Sequence, residues 1–144
     1  MRGHAVRGTT RHPERMAAIE EIGAEAALAD PDRVATLVRA FEHVAVACIL
    51  LGSAAGSDEQ LAALHSERLE MALAKMVDTT IRGLVYEAHG TVGDELLRAG
   101  AERVAAFAAD SHAECALLDT DTSDHRAWLD AALEAVERVL ERPA

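Results

Sequence analysis

His43-Val-Ala-Val-Ala-Cys-Ile-Leu-Leu-Gly52 is the stretch on which the fold turns. Eight consecutive apolar residues, Val44 to Leu51, run into a glycine and the small-residue loop Ser53-Ala-Ala-Gly-Ser57. An unbroken apolar run, rather than an alternating one, is what a strand needs when both its faces are covered, as in the middle of a parallel sheet. On its N-terminal side Val34, Leu37, Val38 and Phe41 recur at i, i+3, i+4 and i+7, the stripe of a helix packed on one side. Asp30-Pro31 reads as the opening of that helix, an acidic N-cap followed by proline at the first helical position. On its C-terminal side Ser57 and Gln60 have the spacing of a capping box. The helix they open carries Leu61, Leu64, Leu69, Ala72, Leu73 and Met76.

The same alternation extends both ways. A short strand is expected over Ala5 to Thr10, then a helix from Pro13 to Ile22 closed by Gly23, then a strand over Glu25 to Ala29. Beyond the long helix, Ile81 to Glu87 reads as a strand, Asp94 to Ala109 as a helix and Ala113 to Leu118 as a strand. A last helix carries Leu129, Ala132, Leu133, Val136 and Leu140. Five strands strictly alternating with helices predict an α/β fold: a three-layer, doubly wound parallel sheet with right-handed crossovers. Ligands in such folds bind at the carboxyl ends of the strands. The loops that matter are therefore Thr9–Arg15, Asp30–Arg33, Gly52–Asp58, Ala88–Asp94 and Asp119–His125.

Composition bounds the function. The 144 residues are half apolar and 27% charged, which fits one folded domain over residues 1–144 and excludes intrinsic disorder. No apolar run approaches the roughly 20 residues that span a bilayer, so no membrane partner is expected. Fourteen basic against 25 acidic residues give a net charge of −11, which argues against nucleic acid as a partner. Cys48 and Cys115 lie in apolar stretches without metal or redox spacing, as in a reducing cytoplasm. The N-terminus has arginines but no apolar segment of secretory type.

Arg11, just past the first strand, has a fork of donors matched to phosphate oxygens. Arg2-Gly-His-Ala-Val-Arg-Gly-Thr-Thr-Arg11 resembles the second strand of NAD(P)-binding proteins of the epimerase/dehydratase type, within the extended and atypical short-chain dehydrogenases. Glu25-Ala-Ala-Leu-Ala-Asp30 is similar to their third strand, Cys48-Ile-Leu-Leu-Gly52-Ser-Ala to their fourth, and Arg82-Gly-Leu-Val-Tyr86-Glu to their fifth. The resemblance covers nearly the whole chain and implies a Rossmann-like domain binding NADP or NAD. It implies that Thr10 and Arg11 meet the 2′-phosphate, that Asp30 lies at the adenine, and that Leu51, Gly52 and Ser53 lie at the adenine ribose.

Two departures qualify that resemblance. No Gly-x-Gly-x-x-Gly or Gly-x-x-Gly-x-x-Gly is present, so the amide cradle for a pyrophosphate is missing. Met1 falls where the family's first helix ends, which implies that a first strand, loop and helix of roughly 20–25 residues are absent. The strand so lost is central in the order 3-2-1-4-5-6. If the gap closed, the order would become flavodoxin-like, 2-1-3-4-5. If it stayed open, a second copy could supply a strand and make a homo-oligomer. The second departure is chemical: Tyr86 has Gly90, not lysine, four positions on, and the one lysine is Lys75. Without Tyr-x-x-x-Lys nothing lowers the phenol's pKa for acid–base work. No catalytic residue is assigned, and a non-enzymatic nucleotide sensor or scaffold stands as the alternative. Tyr86 reads as a packing residue, and Glu87 and His89 as solvated positions at the strand end. Asp119-Thr-Asp-Thr-Ser-Asp124 lacks the glycine and glutamate of a calcium loop, so Ser123 or Asp124 reads as a helix cap and no metal site is expected.

Overall fold

The computed structural model describes residues 3–141; Met1 and Arg2, and with them part of the Arg2-Gly-His motif, lie outside it. Strand β1 (Arg7–Thr10) is followed by a 3₁₀ turn at Pro13–Arg15, helix α1 (Met16–Glu21) and strand β2 (Glu25–Leu28). Helix α2 (Val34–Ala40) leads to β3 (Val46–Ile49), then to α3 (Asp58–Leu64), α4 (Glu67–Met76) and β4 (Gly83–Glu87). Helix α5 (Asp94–Ser111), strand β5 (Glu114–Leu118) and helix α6 (His125–Glu141) close the chain. All pairings between these strands are parallel, as the alternation predicts.

Layering follows from the two-residue period of β4, the one strand whose every residue is buried. Leu84 and Tyr86 face one side, packed with Leu37 of α2, Leu69, Leu73 and Met76 of α4, and Ala101, Val104 and Ala108 of α5. Val85 faces the other, with Ala116 and Leu118 of β5 and Ala135 and Val139 of α6. Each large apolar side chain removed from water in this way contributes about 1.5–3 kcal/mol. Helices thus cover both faces of β3-β4-β5, the doubly wound arrangement.

The five strands form two sheets, β1-β2 and β3-β4-β5, rather than one. The β1–β3 pairing that a flavodoxin-like order requires is not formed. Arg7 bridges the divide instead: its Nη1 donates to the carbonyls of Ala40 and Glu42, at 2.8 and 2.7 Å, at the carboxyl end of α2. A guanidinium there satisfies carbonyls that the helix leaves unpaired and complements the negative end of its dipole.

Three local expectations are corrected. The run Val44–Leu51 yields an edge strand of four residues, paired to β4 alone, with Cys48 exposed and Leu50 44% exposed. Its apolar character suits two covered faces; Ala47 and Ile49 pack into the α2–α4–α5 layer and Val46 against the α6 cluster, but Cys48, further along, is exposed. Asp30 is not the N-cap of α2: the cap position is Arg33, without a side-chain bond. Asp30 Oδ1 instead accepts from the Asp32 amide at 2.9 Å, forming a turn ahead of the helix. The long helix after Ser57 is broken at His65-Ser66, where the Ser66 hydroxyl donates back to the Ala62 carbonyl. The Ser57–Gln60 capping box is present with both of its bonds. Asp124 caps α6 through the Ala127 amide at 3.0 Å.

Candidate functional site

The carboxyl ends of β3 and β4 are joined by a network of polar groups set into the apolar layers. Past β3 the chain turns through Leu51-Gly52-Ser53. The Gly52 amide donates to Glu87 Oε1 at 2.8 Å, and the Gly52 carbonyl accepts from the Val92 amide at 3.0 Å. Ser53 Oγ accepts from the Thr91 amide at 3.2 Å. The two loops approach so closely that a Cβ on Gly52 would run into the His89 carbonyl and lie 2.9 Å from Glu87 Cγ. Only glycine fits there.

Glu87 is 5% exposed, not solvated as its place at the strand end predicts. Its second oxygen, Oε2, accepts from Trp128 Nε1 of α6 at 3.0 Å. The carboxyl therefore ties the Gly52 loop to the opposite helix layer. His89 sits at the rim, half-buried, with Nε2 4.0 Å from Asp121 Oδ1. Hydrogen bonds from the Ser123 amide and side chain hold the Asp121 carboxyl below its ordinary range.

On the other face of β4, Tyr86 and His65 form a buried pair. His65 Nδ1 lies 2.6 Å from the Tyr86 hydroxyl and Nε2 lies 3.0 Å from the Leu51 carbonyl. A carbonyl can only accept, so Nε2 carries the proton and the Tyr86 hydroxyl donates to Nδ1. Burial is the main reason that the His65 pKa falls below its ordinary value; the Leu51 carbonyl and Glu87 pull the other way. Burial also pushes the Tyr86 phenol up to about 12, against a smaller opposite effect of Arg103. Arg103 in turn donates to the His65 carbonyl at 3.2 Å and pairs with Glu70 Oε1 at 2.9 Å. Gly100 leaves room for the Tyr86 ring, since a Cβ on that helix position would strike its hydroxyl. Tyr86 packs, as expected. Its hydroxyl is enclosed and engaged with His65.

At the ends of β1 and β2 the arrangement is open and charged. Thr10 Oγ1 accepts from the His12 amide at 3.1 Å, which turns the chain and leaves the Arg11 side chain half exposed. Asp30 and Thr36 fix the facing turn, with Thr36 Oγ1 accepting from the Asp30 amide at 2.8 Å and donating to the Arg33 carbonyl at 2.7 Å. The carboxylate of Asp32 projects between two arginines. Its Oδ2 is 3.9 Å from Arg11 Nη1, and its Oδ1 is 3.6 Å from Arg68 Nε of α4. The structure thus gathers the sequence-derived residues into two groups: Thr10, Arg11 and Asp30 over β1-β2, and Leu51, Gly52 and Ser53 beyond β3. It adds Arg68, Asp32, His65 and Trp128, which sequence reasoning missed. His65 alone left a visible signal, four residues from both Leu61 and Leu69 on the apolar stripe. No group of three or more metal-ligating side chains occurs among the described residues. No described helix is long and apolar enough to cross a membrane.

No protein-family profile and no curated protein matches the chain. Solved structures do. The chain is similar to the triphenylmethane reductase of Citrobacter sp. complexed with NADP(H), with a TM-score of 0.60 and 13% identity over 79% of this chain and 39% of that one. A second structure of a Citrobacter sp. triphenylmethane reductase, described in the context of bioremediation of triphenylmethane dyes, gives a TM-score of 0.60 at 12% identity. The protein gox2253 gives 0.63 at 17% identity, over 81% of this chain and 43% of that one. The chain therefore shares the Rossmann-like α/β fold of these structures. It spans well under half the length of these structures.

Proposed function

We propose that this chain is a dinucleotide-binding domain that holds the adenosine end of NADP or NAD and carries no hydride-transfer machinery of its own. The observation that carries this reading is the open, arginine-bearing turn at the carboxyl ends of β1 and β2, on a fold shared with a reductase complexed with NADP(H). Thr10 and Arg11 would meet the 2′-phosphate, Asp30 the adenine side, and Leu51, Gly52 and Ser53 the ribose side. The residues fit the dinucleotide at that end alone. The Gly52 amide is already donated to Glu87, and the chain has no glycine-rich loop to seat a pyrophosphate. When bound, the nicotinamide would supply the hydride chemistry. This chain's residues would position the adenosine and exclude water from its ribose side. Tyr86 is enclosed, and Lys75 does not stand four residues beyond it.

Calorimetric titration of Arg11→Ala tests the assignment. Losing a charged hydrogen bond to phosphate should weaken NADPH by about tenfold or more and leave NADH unchanged. An equal effect on both would remove Arg11 from the 2′-phosphate.

A further inference from the structure

We propose that Arg68, on α4, is a second ligand for the phosphate monoester at this site, and that Asp32 is an internal counter-ion which the phosphate displaces. The inference rests on the dinucleotide reading above and adds a specificity-determining residue to it.

Three observations carry it. First, Arg11 and Arg68 come from elements far apart in the chain and converge on one carboxylate, leaving two guanidinium charges against a single negative one. Second, neither contact is a hydrogen bond. Distances of 3.9 and 3.6 Å exceed the roughly 2.7–2.9 Å of a charge-assisted N–H···O pair. Asp32 balances the arginines without satisfying their donors. Third, Arg68 Nε is buried with no hydrogen-bond partner, and its Nη1 has only a long contact with Met71 Sδ at 4.0 Å. A buried N–H left unpaired costs free energy, and a native structure that retains one commonly does so for a ligand or water. A phosphate monoester has the charge and the number of acceptor oxygens to take donors from both arginines, which a single carboxylate held at this distance does not.

Asp32 is held for this role. Its amide is fixed by Asp30 Oδ1, so the backbone of the turn stays in place while its carboxylate, held only at 3.6 and 3.9 Å, is free to give way to phosphate. It would then set a threshold: an uncharged ribose 2′-hydroxyl gains nothing by displacing it, whereas a dianionic phosphate does. The site would in this way favour NADP over NAD.

The test is titration of the full chain with NADPH, NADH and 2′-AMP, for wild type, Arg68→Gln, Arg68→Lys and Asp32→Asn, with thermal melts to verify folding. Arg68→Gln should weaken NADPH and 2′-AMP by about tenfold or more, with NADH unaffected. Arg68→Lys should recover part of that loss, keeping the charge without the fork. Asp32→Asn should tighten 2′-AMP. Wild-type binding of NADPH with a preference over NADH that Arg68→Gln leaves intact would overturn the role of Arg68 alone. Failure of the wild type to bind any of the three would overturn the dinucleotide reading itself.

Discussion

At the scale of single residues, His65 shows how burial assigns a role that titration can read. Its ring stands between the Leu51 carbonyl and the Tyr86 hydroxyl, and burial, outweighing the upward pull of Leu51 and Glu87, keeps its pKa below the ordinary 6.5. In the unfolded chain the same imidazole takes up a proton as pH falls below about 6.5. The folded state therefore binds fewer protons in that window, and the stability it gains from His65 is present above it and lost as pH falls through it. Urea unfolding from about pH 7.5 down to about pH 5.5 should show a decline in stability that is shallower in His65→Gln. Identical slopes would mean that His65 is not buried neutral. Glu87 shows what stays hidden from sequence. A carboxylate at the end of an apolar strand reads as a solvated position, yet this one is buried. The residue that decides, Trp128, lies 41 positions away.

Among elements, those whose signals are local were legible. Ser57 and Gln60 carry both halves of their cap within four residues, and Asp124 caps α6 as its position suggests. Ser57→Ala should cost about 1 kcal/mol in denaturant unfolding, through the orphaned Gln60 amide; no loss would show that α3 is set by packing alone. Asp30-Pro31 misled because aspartate closes a turn on a nearby amide as readily as it caps a helix. The break between α3 and α4 was not legible either. The apolar stripe runs on through it, and the back-bond of Ser66 to Ala62 competes with a helix only locally.

For the whole molecule, the alternation of strands and helices gave the parallel α/β arrangement and its two covered faces. The alternation predicts one five-stranded sheet, and the structure divides it into β1-β2 and β3-β4-β5. What the alternation did not convey was that β1 and β3 belong to separate sheets. They remain unpaired with each other, and Arg7 links β1 to the end of α2. The candidate site is split in the same way. The half proposed for the 2′-phosphate stands on β1-β2 and the half proposed for the ribose on β3, so one ligand touching both would report that the divided sheet still presents a single binding edge.

Amide-resolved NMR during titration with NADPH reads this directly. Binding as described predicts saturable shifts at Thr10, Arg11 and Asp30 together with Leu51, Gly52 and Ser53, while the carboxyl-terminal half of α6 stays unmoved. Shifts confined to α6, or an unchanged spectrum at saturating NADPH, would contradict it.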